Sequence, residues 1–157
     1  MKPKLYVETT IVSYLTSRLS RDLIVAAHQQ LTQQWWDAHR DDFELFTSQI
    51  AVQEAGVGDE EAARRRLMVL EELPVLALDE RARELARRLV AGGIVPAEAT
   101  EDALHIAVAT VHGMQYLLTW NCAHIANARM RYLVEETCRA SSCEPPIICT
   151  PEELMES

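Results

Sequence analysis

Thr100-Glu101-Asp102-Ala103-Leu104-His105-Ile106-Ala107-Val108-Ala109 places two acids and a histidine at the front of an otherwise apolar helix. A charge carried up to a core is costly unless it is paired or bound. Other acids, at the ends of predicted strands, supply a reason, since they could meet these around a cation.

Working outward, Pro96 opens this central helix, which is predicted to run to His112 and stop at Gly113. Before it, Asp79 caps a helix from Glu80 to Val90, and Gly92-Gly93 ends that helix. After it, Tyr116 to Thr119 reads as a strand, followed by Trp120-Asn121-Cys122-Ala123-His124 and a long helix from Ile125 to Arg139. Ile147 to Cys149 is the last strand, and Thr150-Pro151-Glu152-Glu153 is a cap with Pro at the first helical position. Toward the N-terminus, Lys4 to Val7 is a strand ending at Glu8. Thr9-Thr10 offers the cap of a short helix from Ile11 to Ser17. Asp22 caps a helix from Leu23 to His39. Phe43 to Thr47 is a strand, and Ser48 caps the helix Gln49 to Ala55 that carries Glu54. Asp59 caps a helix to about Leu73, and Val75 to Leu78 is a strand.

Strands that alternate with helices predict an α/β fold with a mostly parallel sheet and helices on both faces. The 157 residues read as one domain, with disorder expected only in the last few. A formal charge of −9 argues against coating nucleic acid by bulk attraction, but an acidic metal site accounts for part of such a charge. No run of about 18 apolar residues is present, so no membrane span is expected. The N-terminus enters a strand without a signal-peptide pattern, which makes a cytoplasmic protein the expectation. Cys122, Cys138, Cys143 and Cys149 form no C-x-x-C pair and read as free thiols.

Ligands of such sheets sit beyond the carboxyl ends of the strands, where strand order switches. Glu8 and Asn121 would face one crevice if their strands are neighbours. The candidate site is Glu8, Glu54, Asp102 and Asn121. Oxygen donors of this kind select hard cations such as Mg2+ or Mn2+. Each residue also has a plainer reading. Asp102 could complement its helix dipole, Glu54 could be a surface acid, and Asn121 could make a turn. Glu101 lies about 100° around the helix from Asp102, so the two do not point equally at one ion and Glu101 is expected to face outward or give support. His105 reads as support under the site. His124 reads as support of its loop, with catalysis the alternative. Trp35 and Trp36 read as core or dimer packing. Arg64, Arg65 and Arg66 read as a solvated face, with RNA or partner contact as the alternative.

Four stretches together resemble the PIN-domain family, and more closely the VapC-type toxins of bacterial type II toxin–antitoxin pairs. They are Tyr6-Val7-Glu8-Thr9-Thr10, Glu54, Asp102-Ala103-Leu104-His105-Ile106-Ala107, and Tyr116-Leu117-Leu118-Thr119-Trp120-Asn121. The resemblance covers nearly the whole chain. It implies a three-layer α/β/α sandwich around a parallel five-stranded sheet. It further implies a Mg2+- or Mn2+-dependent endoribonuclease, a homodimer and a small antitoxin partner. By position it makes Glu8, Glu54 and Asp102 metal acids, puts Asn121 in the fourth acidic position, and matches Thr10, two residues after the first acid; Thr10 and Thr119 are candidates for support. The family's first acid is usually Asp, and Glu8 is one methylene longer. The fourth is usually Asp too, and Asn121 has one charge less. These departures leave a second expectation: a PIN-like protein with weakened catalysis that binds a protein partner or RNA. A phosphatase of the haloacid type would want an Asp nucleophile where this chain has Glu8-Thr9-Thr10.

Overall fold

The structure, a computed structural model, describes residues 1–155. Five parallel strands form one sheet: β1 (Lys4–Val7), β2 (Glu44–Ser48), β3 (Val75–Leu76), β4 (Tyr116–Leu118) and β5 (Ile147–Cys149). Their spatial order is β3-β2-β1-β4-β5. The chain builds outward from β1 on one side, then returns to place β4 on the other side. Strand order therefore switches at β1 and β4, which pair with Tyr6 opposite Leu117 and Val7 opposite Leu118.

The helices are α1 (Thr9–Thr16), α2 (Leu23–His39), α3 (Gln49–Ala55), α4 (Glu60–Leu70), α5 (Glu80–Ala91), α6 (Thr100–Val111) and α7 (Ala128–Ala140). Both faces of the sheet are covered, and Leu5, Tyr6, Val7, Leu117 and Leu118 are fully buried. Parallel strands enclosed in this way need apolar residues at every position, not alternate ones. Tyr6, Leu117 and Ile148 pack on one side with Leu85 and Leu89 of α5, Ile106 of α6 and Val134 of α7. Leu5, Val7 and Leu118 pack on the other with Ile11, Val12, Trp35 and Leu70. This is the three-layer α/β/α arrangement on a five-stranded sheet that the sequence resemblance implies. Trp35 is fully buried core, in line with the packing reading.

The caps at Asp22, Ser48, Asp59 and Asp79 form as the sequence predicts, each side chain accepting from backbone N–H groups of its helix. Other boundaries move. The first helix begins at Thr9, with Glu8 in the cap position and no side-chain cap bond. The threonine hydroxyls are used elsewhere. Pro96 precedes a 3₁₀ turn, Ala97–Ala99, and the α-helix proper starts at Thr100. The last long helix starts at Ala128, because Ile125 and Ala126 both donate their N–H groups to the Asn121 carbonyl and Asn127 supplies the cap. α4 stops at Leu70, β3 at Leu76 and β4 at Leu118, each short of its predicted end. At the C-terminus, Thr150 and Glu153 form a capping box on the 3₁₀ turn Pro151–Leu154, so disorder does not begin there; 156–157 lie outside the described residues.

Leu117 lies on β4, between β1 and β5, with no exposed surface. Truncation to Ala leaves a cavity that neighbouring strands cannot collapse into. Leu117→Ala should lower unfolding stability by about 2–5 kcal/mol, read as a reduced urea midpoint with unchanged slope. A loss well under 1 kcal/mol (roughly the scale of a tolerated hydrophobic swap) would contradict this packing.

Candidate metal centre at the strand switch

Glu8 follows β1 and Thr119 follows β4, so both stand at the switch point. The Glu8 side chain is buried at 3% exposure. Its Oε1 accepts from the Thr10 hydroxyl and from the Thr119 hydroxyl at 2.6 Å. Each hydroxyl is itself set by a backbone donor. Thr10 Oγ1 accepts from Trp120 N at 2.9 Å, and Thr119 Oγ1 accepts from Asn121 N at 2.9 Å. An acceptor already filled by an N–H directs the remaining O–H toward the acid. The carboxylate is thus fixed through one oxygen, and these bonds leave Oε2 free.

Glu54 comes from the far end of α3, which Ser48 launches from the tip of β2. Its Oε1 accepts from Thr9 Oγ1 at 2.5 Å and meets His105 Nε2 at 2.6 Å. Burial pushes the Glu54 carboxyl up, but the His105 hydrogen bond and charge, together with the Thr9 hydroxyl, bring it down to about 2. His105, wholly buried, is pushed down by desolvation. The Glu54 bond and the fields of Glu8, Glu54 and Asp102 outweigh this and hold it above its ordinary value. Glu8, Glu54 and His105 each bring a potential ligand atom within 4.8 Å of the others.

Asp102 and Asn121 form an adjoining group. Asp102 Oδ2 meets His124 Nδ1 at 3.0 Å, and Asn121 Oδ1 accepts from His124 N at 3.0 Å. The second bond closes the turn for which Asn121 has its plainer reading. Thr119 links the two groups, donating to Glu8 and accepting from Asn121. The structure therefore joins all four candidate positions in one network, with Glu8 and Glu54 clustered directly and Asp102 and Asn121 gathered by His124. His105 and Asp102 share a helix side but turn to different partners.

Glu101 is exposed but does not face simply outward. Its carboxyl is raised, first by a hydrogen bond to the Glu54 carboxylate and then by that group's charge, with Asp102 adding a little. A carboxylate crowding of this kind is the electrostatic counterpart of a cation site. The donors themselves are oxygens, anchored on one side and presented on the other. In kind they suit a hard divalent ion at Glu8 and Glu54, while Asp102 stands outside the cluster that these two form with His105 and meets His124 instead.

Several participants escape a sequence reading. Thr9 looks like a cap residue, Tyr6 like an ordinary strand residue and Ser48 like a cap alone. Yet Tyr6 OH meets both Ser48 Oγ at 2.7 Å and His105 Nδ1 at 2.6 Å. The signal for Tyr6 is a polar tip in a strand buried on both faces, which requires a partner. The arginine run is not a free basic track: Arg64 and Arg65 pair with Glu61, and Arg66 donates to the carbonyls of Ala55, which ends α3, and of Val57 just after it.

No protein-family model and no curated protein matches the chain. Among solved structures it is similar to a chain in the crystal structure of VapBC2 from Rickettsia felis bound to a DNA fragment from their promoter. The likeness has a TM-score of 0.57 at 13% identity and covers 94% of this chain and 98% of that one. At that identity it establishes a shared fold.

The Glu54 and His105 shifts have opposite consequences for metal-free stability. Glu54 is lowered from an ordinary 4.5 to about 2, so its contribution is complete above the ordinary value and is lost as pH falls toward 2. His105 is raised, so its contribution is complete below an ordinary 6.5 and is lost as pH rises through the folded value. Thermal unfolding followed from pH 7 to 2 should show Glu54→Gln losing part of the acid-side slope of the parent. Parallel curves for the two proteins would mean that the pair contributes nothing.

Proposed function

We propose that this protein is a Mg2+- or Mn2+-dependent endoribonuclease, the toxin component of a type II toxin–antitoxin pair. The observation that carries this reading is the pair Glu8 and Glu54 at the strand switch. Each is fixed through Oε1 by two side-chain donors, and Glu8 presents its remaining oxygen. A buried acid bound to neutral hydroxyls, with no Lys or Arg beside it, is arranged to hold a cation rather than to make an ion pair. The fold shared with a chain of a VapBC2 complex agrees with the VapC-type motifs in the sequence.

A divalent ion bound there would lower the pKa of an attacking water and offset charge on the leaving oxygen of an RNA phosphodiester. The chain's own residues do the rest. Glu8, Glu54 and Asp102 hold the ion, with the Asn121 side chain at the fourth position. Thr10 and Thr119 orient Glu8, while Thr9 and His105 orient Glu54. His124 is oriented by Asp102 through Nδ1, and its Nε2, which makes no hydrogen bond among the described residues, is open to a phosphate. No side-chain nucleophile is needed. On this reading the protein works in the cytoplasm as a homodimer and is restrained by a cognate antitoxin. No helix among the described residues is long and apolar enough to cross a membrane.

One observation favours a second reading, a PIN-like module with weakened catalysis that binds a protein partner or RNA. Asn121 Oδ1 is committed to the His124 N–H, so the fourth position offers less to an ion than a free carboxylate would.

Incubation of the protein with RNA and either Mg2+ or Mn2+ should give cleavage that a chelator abolishes. Asp102→Asn and Glu8→Ala should each cut the rate by more than the roughly 10–100-fold typical of losing an outer partner of a metal site. Unchanged cleavage in both variants would remove this site assignment. Tight Mn2+ binding by calorimetry without cleavage would favour the binding module.

A further inference from the structure

Behind Glu54 three polar side chains lie wholly buried in the core: Ser48 at the tip of β2, Tyr6 in β1 and His105 on α6. They form one chain with Glu54: Ser48 Oγ to Tyr6 OH at 2.7 Å, Tyr6 OH to His105 Nδ1 at 2.6 Å, and His105 Nε2 to Glu54 Oε1 at 2.6 Å. Ser48 Oγ also accepts from Ala51 N at 3.2 Å.

The protons can be assigned by counting donors and acceptors. A Glu54 carboxylate only accepts, so His105 Nε2 carries a hydrogen. With neutral imidazole, Nδ1 accepts from Tyr6 and the Tyr6 oxygen accepts from Ser48. With imidazolium, Nδ1 donates to Tyr6 and Tyr6 donates to Ser48. In both states Nε2 keeps its proton and points it at Glu54. While that bond to Glu54 stands, Nε2 has no lone pair to offer an ion, although the imidazole belongs geometrically to the cluster with Glu8 and Glu54.

We infer that Ser48, Tyr6 and His105 form a buried positioning relay for Glu54, and that His105 is not a metal ligand; this rests on reading Glu8 and Glu54 as the carboxylates that hold the cation. Phe at position 6 and an apolar residue at 105 would fill the same core without buried polar groups to satisfy. The one member of the chain that reaches the surface is Glu54, so the chain acts at that end. Glu54 needs such a hold, since it stands near the end of a one-sided helix of 7 residues beside the like-charged Glu101. The relay ties its carboxylate to three separate elements, β1, β2 and α6.

Mn2+ titration calorimetry and thermal unfolding on the same variants test this. Tyr6→Phe keeps the ring and removes the hydroxyl, and should weaken Mn2+ binding by about 10–100-fold. His105→Gln, which retains an N–H donor, should bind better than His105→Leu. A lowered unfolding temperature with parental Mn2+ affinity in Tyr6→Phe would reduce the chain to a structural role and overturn the relay. So would an imidazole nitrogen coupling in the electron-spin-echo spectrum of the Mn2+-loaded parent. If the parent binds no Mn2+, the carboxylate-site reading fails instead. The relay is then decided by the 15N imidazole spectrum of the metal-free protein. A protonated Nε2 on His105 that shifts in Glu54→Gln and in Tyr6→Phe supports it, and a bare Nε2 overturns it.

Discussion

The Glu8 carboxylate, buried at the switch between β1 and β4, is the constraint around which the site is arranged. A carboxylate taken out of water needs donors, and here no Lys or Arg supplies them. Thr10 and Thr119 do so, and each hydroxyl is oriented by a backbone N–H from the segment after β4. One acid thus sets the start of α1, the end of β4 and the path of the loop that follows. It also explains why α1 opens without a side-chain cap. The hydroxyls that would have filled that role are turned toward Glu8 and Glu54.

The elements were legible in the sequence wherever the deciding interaction was local. Asp22, Ser48, Asp59 and Asp79 cap the helices that immediately follow them, and an Asp or Ser before an amphipathic run carries that information within a few residues. Thr9 and Thr10 look like caps by the same rule yet do not cap α1, because tertiary contacts claim them; Thr10 Oγ1 takes the Trp120 N–H. Thr9 binds Glu54 across 45 positions, and Glu8 meets Thr119 across 111. The start of the last helix moved for a related reason. Two N–H groups converge on the Asn121 carbonyl, a geometry set by where β4 ends. The candidate acids could be named from motifs; the donors that fix them could not, since a Ser or Thr before a helix reads as a cap and a Tyr in a strand reads as a strand residue.

Charge is handled differently at the site and away from it. On the helical surfaces Arg64, Arg65, Arg87 and Arg88 neutralise Glu61, Glu80 and Glu84 at short range, in exposed pairs that contribute little each. At the strand switch no arginine or lysine answers Glu8, Glu54, Glu101 and Asp102. The side chains that meet them there are two imidazoles, His105 beneath Glu54 and His124 beside Asp102.

Glu8 and Asn121, the two positions that differ from the motifs the sequence resembles, are coupled through Thr119. An Asp at position 8 would be a methylene shorter and would draw its carboxylate back from the Thr119 hydroxyl, which Glu8 reaches at 2.6 Å. Thr119 in turn accepts the Asn121 N–H, and the Asn121 side chain closes the turn that brings His124 to Asp102. A carboxylate at 121 could accept the same His124 N–H, but it would add a further negative charge to a cluster that already raises Glu101. The longer acid at the first position and the neutral amide at the fourth are therefore parts of one arrangement. Reach is gained where the donor lies on β4, and charge is relinquished where the loop needs only an acceptor.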